Sequence, residues 1–445
     1  MVKQRFALLS DFVDAIMRRD GRRTGGGSAT QEALSRPATE RISVACKVLM
    51  ARIGDAARVA VAEQALAAYA ELDEPEKRAF FRMLLNDYGV DPADIRKAYQ
   101  EWDQKQDDTA ASALFQAVEP KRQSLLRRLN LAPGATLKLV RMRSDLLRAM
   151  RDAPELEAVD LDFAHLLSSW FNRGFLRMQR IDWNSSAAIL ERIMRYESVH
   201  PMQGWEDLRR RLNPHDRRMF AFFHPATGDE PLIFVEVALT QGVPDAISTI
   251  LTAPEPDAPV EADTAVFYSI NNSLPGLKGV SFGNFLIKQV ASELSAELSG
   301  LTRFVTLSPA PGFARWLEAQ DSERARALKE ALDRRDWITD EKNIERLRPE
   351  VEAFAARYFV TARNKAGAPP DPVARFHLGN GASAWRLNWP ADRSEHALKA
   401  AHGLMINYLY ELAAIEAQHE RFVRDGTVTH GPSLADALRR LSGED

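Results

Sequence analysis

Cysteine is almost absent: the 445 residues include one, Cys46. A single thiol excludes an intrachain disulfide framework and a cysteine zinc site, and a reducing compartment is the natural expectation. Long apolar runs are missing, since no stretch approaches the ~18 residues of a membrane span. Neither sign of charge is in excess. The 59 Lys+Arg and 62 Asp+Glu leave a net charge of −3, which gives no footing for general nucleic-acid binding. Nine histidines are present, but no H-x-x-x-H and no His/carboxylate cluster, so no metal site is expected. G-x-S-x-G, the nucleophile elbow of hydrolases, is also absent. The opening Met1-Val-Lys-Gln-Arg-Phe-Ala-Leu-Leu-Ser-Asp-Phe-Val-Asp carries Asp11 and Asp14 within its apolar pattern, against a secretory signal. The ending Leu441-Ser-Gly-Glu-Asp445 is not a peroxisomal address.

What is present is an ordinary soluble composition, 45% apolar and 27% charged, long enough for two cores. The first 170 residues or so read as helices. Asp20-Gly-Arg-Arg-Thr-Gly-Gly-Gly-Ser28 predicts a flexible connection. Asp73-Glu-Pro-Glu76 predicts a helix start, with Asp73 as N-cap, Pro75 in the first turn and Glu76 three residues on. Phe80, Phe81, Leu84, Leu85 and Tyr88 follow at helical spacing, and Asp91-Pro92 starts the next helix. Further helical patterns cover about 113–130 and 143–152. This half reads as scaffold or oligomerisation rather than catalysis.

The pattern changes near Trp170. An entry strand is expected within Gly174–Trp183, a helix over Ala187–Tyr196, and a hairpin from Arg218–Phe223 and Pro231–Leu239 around Pro225-Ala-Thr-Gly-Asp229. Thr264–Ile270 reads as a strand, residues 320–360 as charged helices, and Asp392 to about Glu416 as a longer amphipathic helix.

Two stretches carry chemistry. Between the strand at Thr264–Ile270 and the next helix lies Lys278-Gly-Val-Ser-Phe-Gly283. Unpaired N–H groups at a helix start, together with the helix dipole, favour an anion. Gly279 and Gly283 allow close approach, and Lys278 adds a formal charge. The spacing is neither the dinucleotide fingerprint nor a Walker loop. It resembles the Q/R-x-x-G-x-G/A loop of the acetyltransferase superfamily (GNAT), which wraps the pyrophosphate of coenzyme A, with Ser281 in place of the middle glycine. A plain glycine turn is the alternative. The second stretch is Leu307-Ser-Pro-Ala-Pro-Gly-Phe313, where a strand ends at Ser308 and two prolines fix the turn after it. A plain Ser-Pro turn is again the alternative. Among the histidines, His377 stands just before a Gly-Asn-Gly turn and could present its ring to a cleft. His200 and His402 are rivals, and His215, His224, His396, His419 and His430 look like surface.

Taken together, the segments resemble the malonyl-CoA decarboxylase family. Those that carry the likeness are Glu197-Ser-Val-His-Pro201 with Trp205 and Asp207-Leu-Arg-Arg210; Glu236-Val-Ala-Leu-Thr240; Phe267-Tyr-Ser-Ile270; Leu277 to Lys288; Leu307 to Phe313 with Trp316-Leu317; Phe376-His-Leu-Gly-Asn-Gly-Ala382 with Trp385 to Trp389; and Gly403 to Tyr410. The resemblance implies an α+β fold: an all-α helical N-terminal domain, 1–172, used in oligomer contacts, then a GNAT-like catalytic domain, 173–445, with a mixed central sheet. It implies that Ser308 and His377 carry the chemistry. It also implies that malonyl-CoA is held by Lys278, Gly279, Val280, Ser281, Phe282, Gly283 and Asn284, with Ser308 and His377. The expected reaction gives acetyl-CoA and CO2 through a thioester enolate, with no metal or organic cofactor, coenzyme A being part of the substrate. A homo-oligomer (dimer or tetramer) and a cytoplasmic location of bacterial type are expected, because the long targeting region of animal members is lacking; no nucleic-acid or membrane partner is expected. Asn407, Tyr408 and Tyr410 are expected on a helix backing the site, with the tyrosines packed in the core; Trp316, Trp385 and Trp389 are likewise expected to be core and not ligand contacts. An N-acyltransferase on the same fold and a non-catalytic coenzyme-binding or scaffold protein are the competing readings.

Overall fold

The computed structural model describes residues 36–280 and 285–442. The expected flexible connection at Asp20–Ser28 and the residues Ser281–Asn284 lie outside the described residues. Two compact units divide the chain. One runs to Leu176 and takes in His224–Gly228 and Leu274–Ser281; the other is Arg177–Phe223, Asp229–Ser273 and Phe282–Asp445.

The described part of the first unit is helical: α1 (Ala38–Met50), α2 (Asp55–Ala70), α3 (Glu74–Asp87), α4 (Pro92–Lys105), α5 (Asp108–Val118), α6 (Lys121–Leu129), α7 (Ala135–Ala149) and α8 (Glu157–Trp170). The capping box forms as expected: the Glu76 N–H donates to the Asp73 carboxylate at 2.8 Å, and the Asp73 N–H to that of Glu76 at 3.0 Å. Behind it Phe80, Phe81 and Leu84 enter one apolar core with Val61, Leu126, Leu139 and Phe163. Cys46 lies in that core, where burial pushes its thiol up to about 12 and so keeps it protonated. The helical stretch expected over 113–130 is broken between α5 and α6, because Pro120 cannot continue a helix and serves as the N-cap of α6. His224, expected at the surface, is buried against Phe171, with ring centroids 4.8 Å apart.

The second unit is built on a mixed sheet in the order β1-β2-β3-β4-β5-β8-β6, with β7 on β8. The strands are β1 (Arg177–Ile181), β2 (Arg217–Phe223), β3 (Pro231–Thr240), β4 (Thr264–Asn272), β5 (Arg303–Thr306), β6 (Ser308–Pro309), β7 (Ser383–Asn388) and β8 (Met405–Leu409). The helices that matter below are α9 (Ala187–Tyr196), α10 (Phe285–Glu297), α11 (Glu323–Asp333), α12 (Glu341–Ala356), α13 (Pro372–Gly379), α14 (Glu395–Ala401) and α15 (Ile415–Asp425). β1 to β4 form an antiparallel meander; β4 and β5 are parallel, and α10 lies between them in the chain. A helical region followed by a domain on a mixed central sheet is the α+β architecture expected from the sequence. The sheet is full of Val, Ile and Phe because both of its faces are covered: every residue of β2 is buried, and all of β3 but its last.

One long helix expected from Asp392 to Glu416 is not there. The chain forms α14, β8 and α15 instead. His402 and Gly403 take left-handed conformations, φ +51° and +79°, which end α14. Met405-Ile-Asn-Tyr-Leu then alternates between the two faces of the sheet as β8. Asn407, Tyr408 and Tyr410 therefore sit on or beside a central strand and not on a backing helix.

Candidate active site

Ser308 opens β6 directly after β5, and its register partner is Ile406 of β8. Thr306 and Ser308 share one face. Val305 and Leu307 alternate to the other, where they pack with Tyr268 and Met405. His377 arrives from the last turn of α13. That helix is fixed at its start by Asp371, which accepts the N–H of Val373 at 2.8 Å and of Ala374 at 3.0 Å, with Pro372 at the first helical position. It stops at Asn380-Gly381, where Gly381 has φ +78°.

These elements bring Ser308 and His377 together, 69 residues apart in sequence, with Oγ 3.1 Å from Nε2. The other ring nitrogen, Nδ1, is 2.8 Å from the hydroxyl of Tyr410. The Tyr408 ring stacks on the imidazole at 4.6 Å and 24°. Ser308 also donates to Thr306 Oγ1 at 2.9 Å, an oxygen that takes the Tyr408 N–H at 3.1 Å as well. All of these side chains are buried, His377 to 2% exposure.

Burial fixes the proton inventory. It pushes the His377 imidazolium down to about 3, so the ring is neutral near pH 7, and holds the Tyr410 phenol well above its ordinary value, so it keeps its proton. A buried O–H needs an acceptor. Among the described residues Tyr410 has only Nδ1, so it donates there. The imidazole proton then sits on Nε2 and points at Ser308. In the line Tyr410 → His377 → Ser308 → Thr306 each group donates to the next, and a rotation of the Ser308 hydroxyl away from Thr306 would aim it at a bound group. Tyr410, expected only to pack, is a member of the site. Its signal was the alternation of β8, hidden by reading the segment as helix.

His200 belongs to a second buried cluster. Its carbonyl accepts from Arg211 at 2.7 Å, and Arg211 also pairs with Glu236 at 3.0 Å. Glu197 accepts from Ser269 at 2.8 Å and from Asn271 at 2.6 Å. Burial, helped by Glu197, pushes the Glu236 carboxyl up to about 8 against the pull of Arg211. His402 ends α14, and its backbone carbonyl accepts the Trp389 indole N–H at 2.7 Å. Trp389 is buried; Trp316 and Trp385 are half-buried.

Lys278, Gly279 and Val280 lie in the first unit, Ser308 and His377 in the second. Lys278 and Gly279 are exposed, and Gly279 has φ +79°, a conformation that favours glycine. The Lys278 and Val280 N–H groups are taken by Pro275 O at 3.0 Å and Leu277 O at 2.9 Å. The Gly279 N–H has no partner among the described residues. Ser281, Phe282, Gly283 and Asn284 lie outside them. Also among the described residues, no group of three or more His, Cys, Asp or Glu could hold a metal, and no helix is long and apolar enough to cross a membrane.

Family models for the N-terminal and C-terminal domains of malonyl-CoA decarboxylase match residues 88–171 and 174–444. The crystal structure of malonyl-CoA decarboxylase from Rhodopseudomonas palustris is similar at 48% identity and TM-score 0.86, covering 89% of this chain and 99% of that one. That from Agrobacterium vitis gives 48%, 0.83 and the same coverage. The mitochondrial malonyl-CoA decarboxylase of Anser anser anser is 32% identical over 389 residues, 77% of this chain and 76% of that one.

Proposed function

The chain belongs to the malonyl-CoA decarboxylase family, and on that premise we propose that it converts malonyl-CoA to acetyl-CoA and CO2. The observation that carries this reading is the buried donor line from Tyr410 through His377 to Ser308. Decarboxylation breaks the bond between C2 and the carboxylate. The electron pair passes into the thioester as an enolate, CO2 leaves, and C2 takes up one proton per turnover. Because the thioester accepts the pair, the reading requires no metal or organic cofactor.

Ser308 turns from Thr306 to hydrogen-bond the malonyl carboxylate or to relay its proton, and His377 supplies the proton to C2. In the free protein the imidazole is neutral because burial penalises its cation. A malonyl carboxylate beside it offsets that penalty and raises its proton affinity. The anionic charge persists as the enolate after CO2 has gone, so the imidazolium stays poised until it protonates C2. Lys278, Gly279 and Val280, continuing to Asn284, hold the coenzyme tail, and that remote binding fixes the reacting end. Self-association through the helical domain and a cytoplasmic setting belong to the same proposal. The exposed Tyr99 and Phe115, on a groove between α4 and α5, support the first.

The test is malonyl-CoA alone, with no amine present. Acetyl-CoA and CO2 are expected in equal amounts. Acyl transfer that requires an added amine would replace this reading with the N-acyltransferase, and coenzyme binding without turnover would leave a binding protein.

A further inference from the structure

The loop assigned above to the coenzyme does not stand alone. Arg143, on α7, is only 3% exposed. One of its terminal nitrogens, Nη1, donates to two carbonyls of that loop, Gly276 O at 2.8 Å and Lys278 O at 2.9 Å. Its remaining nitrogens face Asp160 of α8, Nε to Oδ1 at 2.7 Å and Nη2 to Oδ2 at 3.2 Å. The guanidinium is thus held as a fork by one carboxylate, and what it presents to the loop is fixed by that grip.

The loop is also pressed against α7. A Cβ on Gly276 would collide with the Val140 carbonyl oxygen and come within 2.8 Å of Ser144 Oγ. Only glycine lets the backbone approach this closely.

We propose that Arg143 is the positioning residue of the coenzyme loop, aiming the Gly279 N–H at the anionic end of the substrate. The reason lies in the peptide unit. In a trans peptide the C=O and the next N–H point in opposite directions. Arg143 draws the Lys278 carbonyl toward α7, so the Gly279 N–H points away from α7. That N–H is the one among Leu277, Lys278, Gly279 and Val280 that no loop carbonyl consumes. The positive φ of Gly279 then carries the chain onward without strain. The helical unit, read from sequence as scaffold, supplies the support of a binding loop.

This rests on the reading of Lys278–Val280 as coenzyme-binding, so the experiment separates the two. Turnover is compared for malonyl-CoA and for S-malonyl-N-acetylcysteamine, which has the same reacting end and no nucleotide tail. In Arg143→Met, kcat/KM for malonyl-CoA is expected to fall about tenfold relative to that for the short thioester, mainly through KM. An equal fall for both substrates makes Arg143 a general stabiliser and overturns the proposal, as does no change in either. Arg143→Lys, which keeps the charge opposite Asp160 but loses the fork, serves if the methionine variant does not fold, and a smaller loss in the same ratio is expected. Calorimetric titration of the native protein with coenzyme A tests the underlying reading: if Lys278→Ala leaves that affinity unchanged, the loop is not a coenzyme site and the role of Arg143 falls with it.

Discussion

Two buried polar clusters occupy the second unit, and they use burial in opposite ways. Around Glu236, an arginine and two carboxyls are taken out of water together: Arg211 donates to Glu236, and the neutral side chains of Ser269 and Asn271 donate to Glu197. Around His377, every group is neutral and each bond runs the same way, ending on a serine whose partner, Thr306, keeps a second donor if the serine leaves. The first cluster closes its main bonds on itself, yet His200 Nε2, Glu236 Oε1 and the Tyr268 hydroxyl have no partner among the described residues. The second lines its donors up toward one serine. Neither buried polarity nor an unpartnered atom marks a reactive site by itself; an ordered row of donors does.

That contrast can be tested by removing members of each cluster. The largest effect is expected for His377→Asn, a fall in kcat of about a thousandfold with coenzyme A affinity retained in a binding titration. Full activity in that variant would end the assignment. Ser308→Ala should lower kcat by about a hundredfold; a change confined to KM would make the serine a binding group only. Arg211→Met should act on stability and leave the chemistry alone, costing about 3 kcal/mol in denaturant unfolding because it leaves the buried Glu236 carboxyl and the His200 carbonyl without their donor. If instead its folded fraction lost turnover, the two clusters would not be separate. Tyr410→Phe should lower kcat by about tenfold and free the ring to change tautomer, seen as a changed histidine 15N shift.

The smallest effect is the acid side of stability. Unfolded, the His377 ring takes a proton near 6.5; folded, it does so only near 3. Between these values the unfolded chain holds the extra proton, so stability is full above pH 6.5 and falls as pH drops toward 3. His377→Asn should flatten that slope in unfolding measured at several pH values. An unchanged slope would mean that other buried histidines, such as His224, carry it.

Much of this was legible in the sequence. The capping box at Asp73, the helix Ala187–Tyr196 and the hairpin of β2 and β3 follow from local chemistry, where neighbours in sequence decide the outcome. Ser308 and His377 were legible as a resemblance, and the structure adds their 3.1 Å approach. What stayed hidden was long-range. Tyr410 lies 33 residues from His377 on a segment whose apolar spacing fits helix and strand alike. Arg143 stands 133 residues from the carbonyl of Gly276, and nothing in a basic helix says which of its arginines turns inward.

The chain leaves its first unit at Leu176 and comes back to it twice, at His224–Gly228 and at Leu274–Ser281. A single genetic crossover therefore cannot exchange one unit for a foreign counterpart. The incoming half would bring its own two returning loops, shaped for a different α7. Inheritance of the two units is tied together, and a side chain at Gly276 would meet the main-chain carbonyl of Val140, which no substitution at that position removes, so only a shift of the α7 backbone could answer it.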